Sequence, residues 1–206
     1  MEIRRTANAG VLLKLDDVSI LLDGVSRRVL AYLPTPQEEI DRLMEDLPDA
    51  VAFTHDHPDH FDPNFAKAYE AAAGKSVITS GSAYVGNVRI DAVTTRHMGK
   101  ADPALHHVSY VLQGSKCVWF PGDASPQQLK LLCDCPKPDV LIVPFPYVAT
   151  EASIRQLQNY LPCKIVLVHM PARDHDPDGI WDMVTPAIEI FGQNIFCPEI
   201  GENLTL

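Results

Sequence analysis

Residues 55–60, with the sequence HDHPDH, constrain the fold of this chain more than any other segment. A proline disfavours the α conformation in the residue before it, so Pro58 keeps His57 extended or in a turn. Side chains two residues apart lie on the same side of an extended segment, so we expect the imidazoles of His55 and His57 to face one point. The segment is therefore predicted as a turn that follows a strand and brings its polar side chains together.

This spacing is typical of a metal site. His55 and His57 can bind one ion, and Asp59 and His60 lie beyond the proline, where the turn can direct them to a second ion. Imidazole nitrogens and carboxylate oxygens are suitable ligands for Zn²⁺ and also for manganese, iron and cobalt ions. The alternative is a histidine-rich surface turn that binds metal only adventitiously.

The rest of the chain alternates between strand and helix patterns, which predicts a layered α/β domain. We expect one domain over residues 1–206, made of two β-rich halves at about 1–100 and 101–206, with helices outside. The strand patterns cover residues 11–17, 18–24, 49–55, 76–80, 87–95, 108–114, 116–122, 139–145, 164–170, 194–200 and 202–206. The helix patterns cover residues 35–46, 62–74, 125–133, 150–160 and 178–190, with Thr35 and Ser125 as N-caps.

Composition restricts the partners. The formal net charge of -10 argues against binding along a nucleic-acid backbone, which needs many Lys and Arg contacts. No apolar run reaches the roughly 18 residues that a membrane span needs, and MEIRRTANAG at the start lacks the apolar region of a signal peptide. Five cysteines, an odd number, fit reduced thiols better than a disulfide framework. We therefore expect a cytoplasmic protein that acts on a small-molecule substrate, with no nucleic acid and no membrane as partner.

Four single residues each follow a predicted strand: Asp23 in SILLDG, His97 in TTRHMG, Asp123 in FPGDAS and His169 in VLVHMP. Strand ends that meet at one edge of the sheets would bring all four toward the HDHPDH segment. Taken singly, each has an ordinary structural explanation, such as a hydrogen-bonded histidine or a turn aspartate before a glycine. Their order along the chain is what points to a shared site.

Together with HDHPDH, these residues resemble the metallo-β-lactamase-fold hydrolase superfamily nearly from end to end, with most similarity to its small, lactonase-like branch. The resemblance implies an αββα four-layer sandwich of two similar halves. It also implies two divalent metal ions, zinc first, with manganese or iron as alternatives. By resemblance, the metal ligands are His55, His57 and His97 for one ion, Asp59, His60 and His169 for the other, and Asp123 as the bridge. Asp23 would orient the ligand loop.

The resemblance implies a metal-dependent hydrolase. A hydroxide bound between two metal ions would attack an ester, lactone, thioester or phosphodiester bond. Asp59 is the candidate catalytic carboxylate, which would orient the nucleophile or transfer a proton. Two alternatives are a non-catalytic metal-binding or sensor protein and a di-iron oxidoreductase, although such oxidoreductases usually carry a flavin domain.

Some assignments stay open in the sequence. His97, His106 and His107 all lie between the cluster and Asp123, and His97 is preferred because it ends a β-rich run. One of the other two could lie behind the ligands or line the pocket. The further pocket candidates, each with a solvated loop or ordinary core as the alternative, are His107, Tyr147, Arg173 and His175.

Overall fold

The computed structural model describes residues 1–29, 32–99 and 102–206. The strands within them are β1 (Glu2–Arg5), β2 (Val11–Leu15), β3 (Val18–Leu22), β4 (Ala50–Ala52), β5 (Ser82–Val85), β6 (Val88–Thr94), β7 (Val108–Gln113), β8 (Cys117–Phe120), β9 (Val140–Pro144), β10 (Lys164–Val168), β11 (Ile195–Phe196) and β12 (Asn203–Thr205). The α-helices are α1 (Gln37–Glu45), α2 (Pro63–Ala73), α3 (Glu151–Gln158) and α4 (Ile180–Phe191). Short 3₁₀ helices cover Pro126–Leu132, Phe145–Tyr147 and Gly192–Asn194.

The strands form two sheets. The first has the order β12-β1-β2-β3-β4, and the second has the order β11-β10-β9-β8-β7-β6-β5. Side chains from both sheets share one buried cluster, so the sheets pack face to face. The outer face of the first sheet packs on α1 and α2, and that of the second packs on α3, α4 and Pro126–Leu132. These four layers are the predicted αββα sandwich.

Side chains along the strands point alternately to the cluster between the sheets and to the outer helices. In β2, Val11, Leu13 and Leu15 enter the cluster between the sheets, whereas Leu12 packs on the outer side. Successive side chains of a strand point to opposite faces, so a strand buried on both sides is apolar throughout. In β9, Leu141 packs outward and Ile142 packs inward in the same way.

Helix ends follow the sequence signals in part. Asp62 caps α2, because its carboxylate accepts hydrogen bonds from the N–H groups of Asn64 and Phe65, and Gly74 ends the helix at φ +65°. The prediction that Thr35 caps the first helix is wrong. The Thr35 hydroxyl instead accepts from the Ser26 N–H at 2.8 Å, which fixes the preceding loop, and α1 begins at Gln37 without a side-chain cap.

Two predicted elements differ from the structure. Residues 76–80 do not form a strand; Ile78 makes only an isolated bridge to Ala52, and the edge strand is β5, further along the chain. Residues 125–133 do not form an α-helix but a 3₁₀ helix over Pro126–Leu132, and Ser125 makes no side-chain cap.

The division into halves also differs from the expected boundary near residue 100. Strands β5 and β6, which precede that boundary, belong to the second sheet, and β12 at the end of the chain pairs with β1 in the first. No helix of the described residues has the length and apolar character needed to cross a membrane. All five cysteines are free thiols.

Tyr110 in β7 connects the central core to the loops that carry the polar cluster. Its buried hydroxyl lies 2.8 Å from the carbonyl oxygens of both Phe53 and Ile78. We expect Tyr110→Phe to lower the free energy of unfolding by about 1–2 kcal/mol, because a buried hydrogen bond is lost without a large change in volume. Urea unfolding measures this, with Tyr84→Phe as the control, since Tyr84 is 72% exposed. Equal stabilities of the two variants would contradict the assignment.

Candidate metal centre

The predicted ligands collect at one edge of the two sheets because the strands before them run in parallel. Strand β3 pairs in parallel with β4, and β8, β9 and β10 are parallel neighbours. The carboxyl ends of parallel strands lie at the same edge of a sheet. Asp23, Asp123 and His169 each come within three residues of such an end, and the HDHPDH segment follows β4.

Three groups of three possible ligand atoms form within this edge. One of them, Asp23 with His55 and His60, is already tied by hydrogen bonds to the Asp23 carboxylate, and the other two have the predicted composition. The nitrogens of His55, His57 and His97 lie within 4.8 Å of one another. The donor atoms of Asp59, His60 and His169 form a second such group. These are the two triads that the resemblance predicts.

Asp123 lies between the triads and presents one oxygen to each. Its Oδ2 is 3.5 Å from Nε2 of His97. Its Oδ1 is 3.4 Å from Nε2 of His60 and 3.5 Å from Nε2 of His169. The Met98 N–H donates to the Asp123 carbonyl at 2.7 Å, which holds the His97 loop against the Asp123 loop.

Several nitrogen and oxygen atoms of the site either have no hydrogen-bond partner or face one another closely. Nε2 of His97 and Oδ1 of Asp123 are buried and have no hydrogen-bond partner among the described residues. Nε2 of His60 lies 2.9 Å from Nε2 of His169, and Nε2 of His55 lies 3.0 Å from Nδ1 of His57. Each pair either shares one N–H hydrogen or, with both lone pairs turned inward, offers two nitrogens to a cation.

A hydrogen-bond chain fixes which nitrogen of His55 carries the proton. The Thr54 hydroxyl donates its one hydrogen to Oδ2 of Asp23 at 2.6 Å. The same hydroxyl lies 2.9 Å from Nδ1 of His55 and can only accept there, so Nδ1 is protonated. Nε2 of His55 therefore keeps its lone pair for a metal.

His60 and His97 are fixed by the same logic. Nδ1 of His60 lies 2.7 Å from the Asp23 carboxylate, and Nδ1 of His97 lies 2.5 Å from the Met98 carbonyl. Both partners are acceptors, so both Nδ1 atoms donate. The Nε2 atoms of both rings face Asp123, and a metal ion bound there would take the Nε2 lone pair in place of a proton. Neighbours of this kind orient metal ligands in proteins.

Asn8 is a site residue that sequence reasoning missed. Nδ2 of its buried side-chain amide lies 2.9 Å from Nδ1 of His169, an orientation in which the amide donates and the His169 proton is on Nε2. A neutral His169 that presents Nε2 to a metal carries its proton on Nδ1, so the Asn8 amide must turn its oxygen to that nitrogen. The buried guanidinium of Arg5 holds this region by donating to the carbonyls of Ala7, Asn8, Met170 and Pro198.

Backbone conformation is unusual at two site residues. Asp23 has φ +46° and His169 has φ +61°, in the left-handed region that non-glycine residues rarely adopt. Gly10 is required beside Asp23, because a Cβ there would lie 2.0 Å from the Asp23 carbonyl oxygen. Such strain persists only where the surrounding structure fixes it, and it concentrates at functional sites.

The charges within the site are strongly coupled. Burial lowers the pKa of His55 and of His169, which keeps both imidazoles neutral. Burial also opposes the charge on His60, but the carboxylates of Asp123 and Asp23 outweigh it and raise the pKa of His60 well above its usual range. Burial opposes the ionisation of Asp123 as well, yet the charge of the neighbouring His60 holds the pKa of Asp123 well below normal.

His107 lies behind the ligands. Ser109 donates its hydroxyl hydrogen to the Pro121 carbonyl at 3.0 Å, so Thr95 must donate to Ser109 and accept from Nδ1 of His107 at 2.9 Å. Burial lowers the pKa of His107 to about 3, and its ring centroid lies 4.9 Å from that of His55. His107 thus packs against the first triad as a neutral imidazole.

The other candidates lie away from the donor atoms. His106 is exposed, with Nε2 at 3.3 Å from the Thr79 carbonyl. Tyr147 is buried in the core and donates to the Ala124 carbonyl at 2.8 Å, next to Asp123. Arg173 stacks on Trp181 at 3.7 Å. His175 is exposed and is not one of the described residues that line the cavity over the two triads.

That cavity has a volume of about 480 Å³ and opens over both triads. Its floor is formed by predicted ligands, namely His57, Asp59, His97, Asp123 and His169. Its walls among the described residues are Val29, Tyr32, Pro58, Pro144, Phe145 and Pro146. The Tyr32 ring meets the His169 ring edge-on at 5.0 Å between centroids. A small molecule in this cavity would contact the metal-binding atoms directly.

Comparison with known sequences identifies a family. The sequence profile described as "Beta-lactamase superfamily domain" matches residues 2–169. No curated protein is significantly similar in sequence to this chain.

Solved structures share the fold. A possible metal-dependent hydrolase from Veillonella parvula DSM 2008 has a TM-score of 0.75 and 18% identity, over 100% of this chain and 99% of that chain. An isothiocyanate hydrolase from Delia radicum gut bacteria has a TM-score of 0.69 and 17% identity, over 100% and 99%. CmlA, a diiron β-hydroxylase from Streptomyces venezuelae, has a TM-score of 0.66 and 14% identity, over 100% of this chain but 54% of that chain. At these identities the likeness shows the fold alone.

The Thr54 hydroxyl gives a direct test of ligand orientation. We expect Thr54→Val to weaken zinc binding by about 10- to 100-fold, because the proton position on His55 is no longer set. Calorimetric titration of the metal-free protein with zinc measures the affinity. Thr54→Ser, which keeps the hydroxyl, is the control and should bind zinc nearly as the unchanged protein does. Equal zinc affinity in the valine variant would show that the hydrogen bonds from Asp23 through Thr54 to His55 do not orient a metal ligand.

Proposed function

Because this chain belongs to the β-lactamase superfamily, we propose that it is a metal-dependent hydrolase with a two-metal centre at the edge of its sheets. The observation that carries the proposal is the position of Asp123, which directs one carboxylate oxygen to each histidine-containing triad. A carboxylate shared in this way suits two neighbouring cations, which lie about 3.5–4 Å apart in known two-metal sites.

The two triads would hold the two ions. His55, His57 and His97 offer three nitrogens, a set that suits zinc, and Asp59, His60 and His169 offer two nitrogens and an oxygen. We propose zinc first, with manganese or iron as alternatives, because imidazole and carboxylate bind all three. Bound there, divalent cations lower the pKa of water and stabilise negative charge that develops on a carbonyl or phosphoryl oxygen.

Asp59 is the proposed catalytic carboxylate. Its Oδ2 lies 3.6 Å from Nε2 of His169, and its side chain lines the cavity where a substrate would bind. In ester hydrolysis water adds to the carbonyl carbon, the bond to the leaving oxygen breaks, and that oxygen takes up a proton. Asp59 would orient the water, accept its proton and return that proton to the leaving group.

The substrate is proposed to be a small molecule with a hydrolysable ester, lactone, thioester or phosphodiester bond. The structural relative named as an isothiocyanate hydrolase adds isothiocyanates, in which water yields an amine and carbonyl sulfide. The net charge of -10 supports a small molecule rather than nucleic acid as the partner. The lactonase-like branch and a cytoplasmic location stay predictions.

Two other functions are testable alternatives. The first alternative is a di-iron oxidoreductase, because this chain shares its fold with a diiron β-hydroxylase, although the match covers only 54% of that protein. A non-catalytic metal sensor would bind metal and hydrolyse nothing. Elemental analysis of protein purified without added metal separates iron from zinc or manganese, and hydrolysis of a panel with all five bond types separates the enzyme from the sensor.

His57 provides the direct test of hydrolysis. We expect His57→Ala to lower kcat/KM on the best substrate of the panel by about 10³-fold or more, because several kcal/mol of metal-dependent stabilisation is lost. His106→Ala is the matched control, since His106 is an exposed histidine outside both triads, and it should stay within about twofold. Full activity of a folded His57→Ala protein loaded with metal would refute the proposed function.

A further inference from the structure

We propose that this site selects small, uncharged substrates with an apolar group and discriminates against substrates that carry a carboxylate or phosphate beside the reacting bond. This inference rests on the proposed hydrolase function and adds its substrate class. It follows from the walls of the cavity over the two triads, which the metal ligands alone do not determine.

The walls are apolar. Among the described lining residues outside the triads and Asp123, all are aliphatic, proline or aromatic, and Tyr32 carries the single hydroxyl. Three of them, Pro58, Pro144 and Pro146, have backbones restricted by their rings, so the walls are largely preformed. Pockets that bind apolar ligands have walls of this kind, with only a few polar groups for orientation.

The described walls of the cavity carry no cationic side chain. Arg28, next to Val29 in the chain, is exposed and lies outside the lining, and three further arginines are engaged elsewhere. Arg5 is buried and donates to backbone carbonyls. Arg173 pairs with Glu199 at 3.4 Å and stacks on Trp181. Arg27 donates to the Phe61 carbonyl at 3.4 Å. Sites that recognise a substrate carboxylate or phosphate usually supply an arginine or lysine for it, and none of the described lining residues is one.

An anionic substituent would therefore lose hydration without a protein partner. Moving a charged group from water to apolar surroundings is strongly unfavourable unless it is paired. The carboxylates of Asp59 and Asp123 on the floor offset part of the positive charge of the two proposed cations, so the preference has to come from the apolar walls. An uncharged alkyl or aryl group instead gains from burial against Val29 and Phe145.

Tyr32 is the polar contact that such a substrate can use. Its ring meets that of His169 edge-on, and Tyr32 is one of the residues that line the cavity. A phenol donates a hydrogen bond without carrying charge, which suits a carbonyl oxygen or a leaving heteroatom. Tyr32 would thus orient a neutral electrophile over the triads, while the volume of about 480 Å³ limits its size.

Two matched pairs of compounds test the inference. The first pair is p-nitrophenyl butyrate and p-nitrophenyl hemisuccinate, which share the reacting ester and differ by a terminal methyl or carboxylate. The second is butanethiol and mercaptopropionate, whose binding to the cobalt-substituted protein is read from thiolate charge-transfer absorption, independently of turnover. We expect the neutral member to have the higher kcat/KM and the lower Kd by at least about tenfold in each pair.

A variant that adds a positive charge to the cavity wall tests whether the wall sets the preference. Val29→Lys places a cation on the cavity wall and should shift the binding preference toward mercaptopropionate by about tenfold. Leu33→Lys adds the same charge at a nearby side chain that is 45% exposed and outside the described cavity lining, and it should leave the preference unchanged.

The outcomes separate the inference from the function on which it rests. If the anionic ester had an equal or higher kcat/KM, or the anionic thiol an equal or lower Kd, the inference would be overturned. The hydrolase proposal would still stand. Protein that binds no cobalt, or hydrolyses no compound of the wider panel, would overturn the hydrolase proposal and the inference together. An equal shift in Val29→Lys and Leu33→Lys would show that long-range charge, rather than the wall, sets the preference.

Discussion

The buried carboxylate of Asp23 is the interaction on which the site depends. It accepts hydrogen bonds from the Thr54 N–H at 2.7 Å, the Thr54 hydroxyl at 2.6 Å and Nδ1 of His60 at 2.7 Å. One residue at the end of β3 thereby fixes the start of the HDHPDH segment and one of its histidines. The position of Asp23 also requires glycine at position 10, since any side chain there would collide with the Asp23 carbonyl. A buried carboxylate with three donors is stable, and it transmits its orientation to the ligands through Thr54 and His60.

The sequence predicted the fold and the grouping of the site because both rest on strong local signals. Apolar runs such as β9 and β10 are buried on both faces and therefore read clearly as strands. Asp62 with Pro63, and Gly74 at the other end, define α2 almost to the residue. Chain order and strand-end position were enough to bring Asp23, His97, Asp123 and His169 toward the histidine segment, although their roles as ligands stay predictions.

Other features depend on tertiary contacts that no local pattern encodes. Asn8 lies in an unremarkable loop and meets His169 across 161 positions of sequence. Thr35 has the sequence context of a helix cap but bonds to Ser26, and the apolar segment at 76–80 makes one bridge because the neighbouring sheet edge is short. Tyr147 and Phe145 have similar sequence surroundings, yet one is buried beneath the Asp123 loop and the other forms a cavity wall. The choice of pocket residues thus required the structure, whereas the choice of ligand types did not.

The central proposal is that the two triads hold two cations that share Asp123. Anomalous X-ray diffraction from crystals grown with zinc tests it most directly. The account predicts two zinc peaks about 3.5–4 Å apart, each about 2.0–2.1 Å from its ligand nitrogens, with Asp123 between them. A single peak, or two peaks that do not share Asp123, would contradict the two-metal centre.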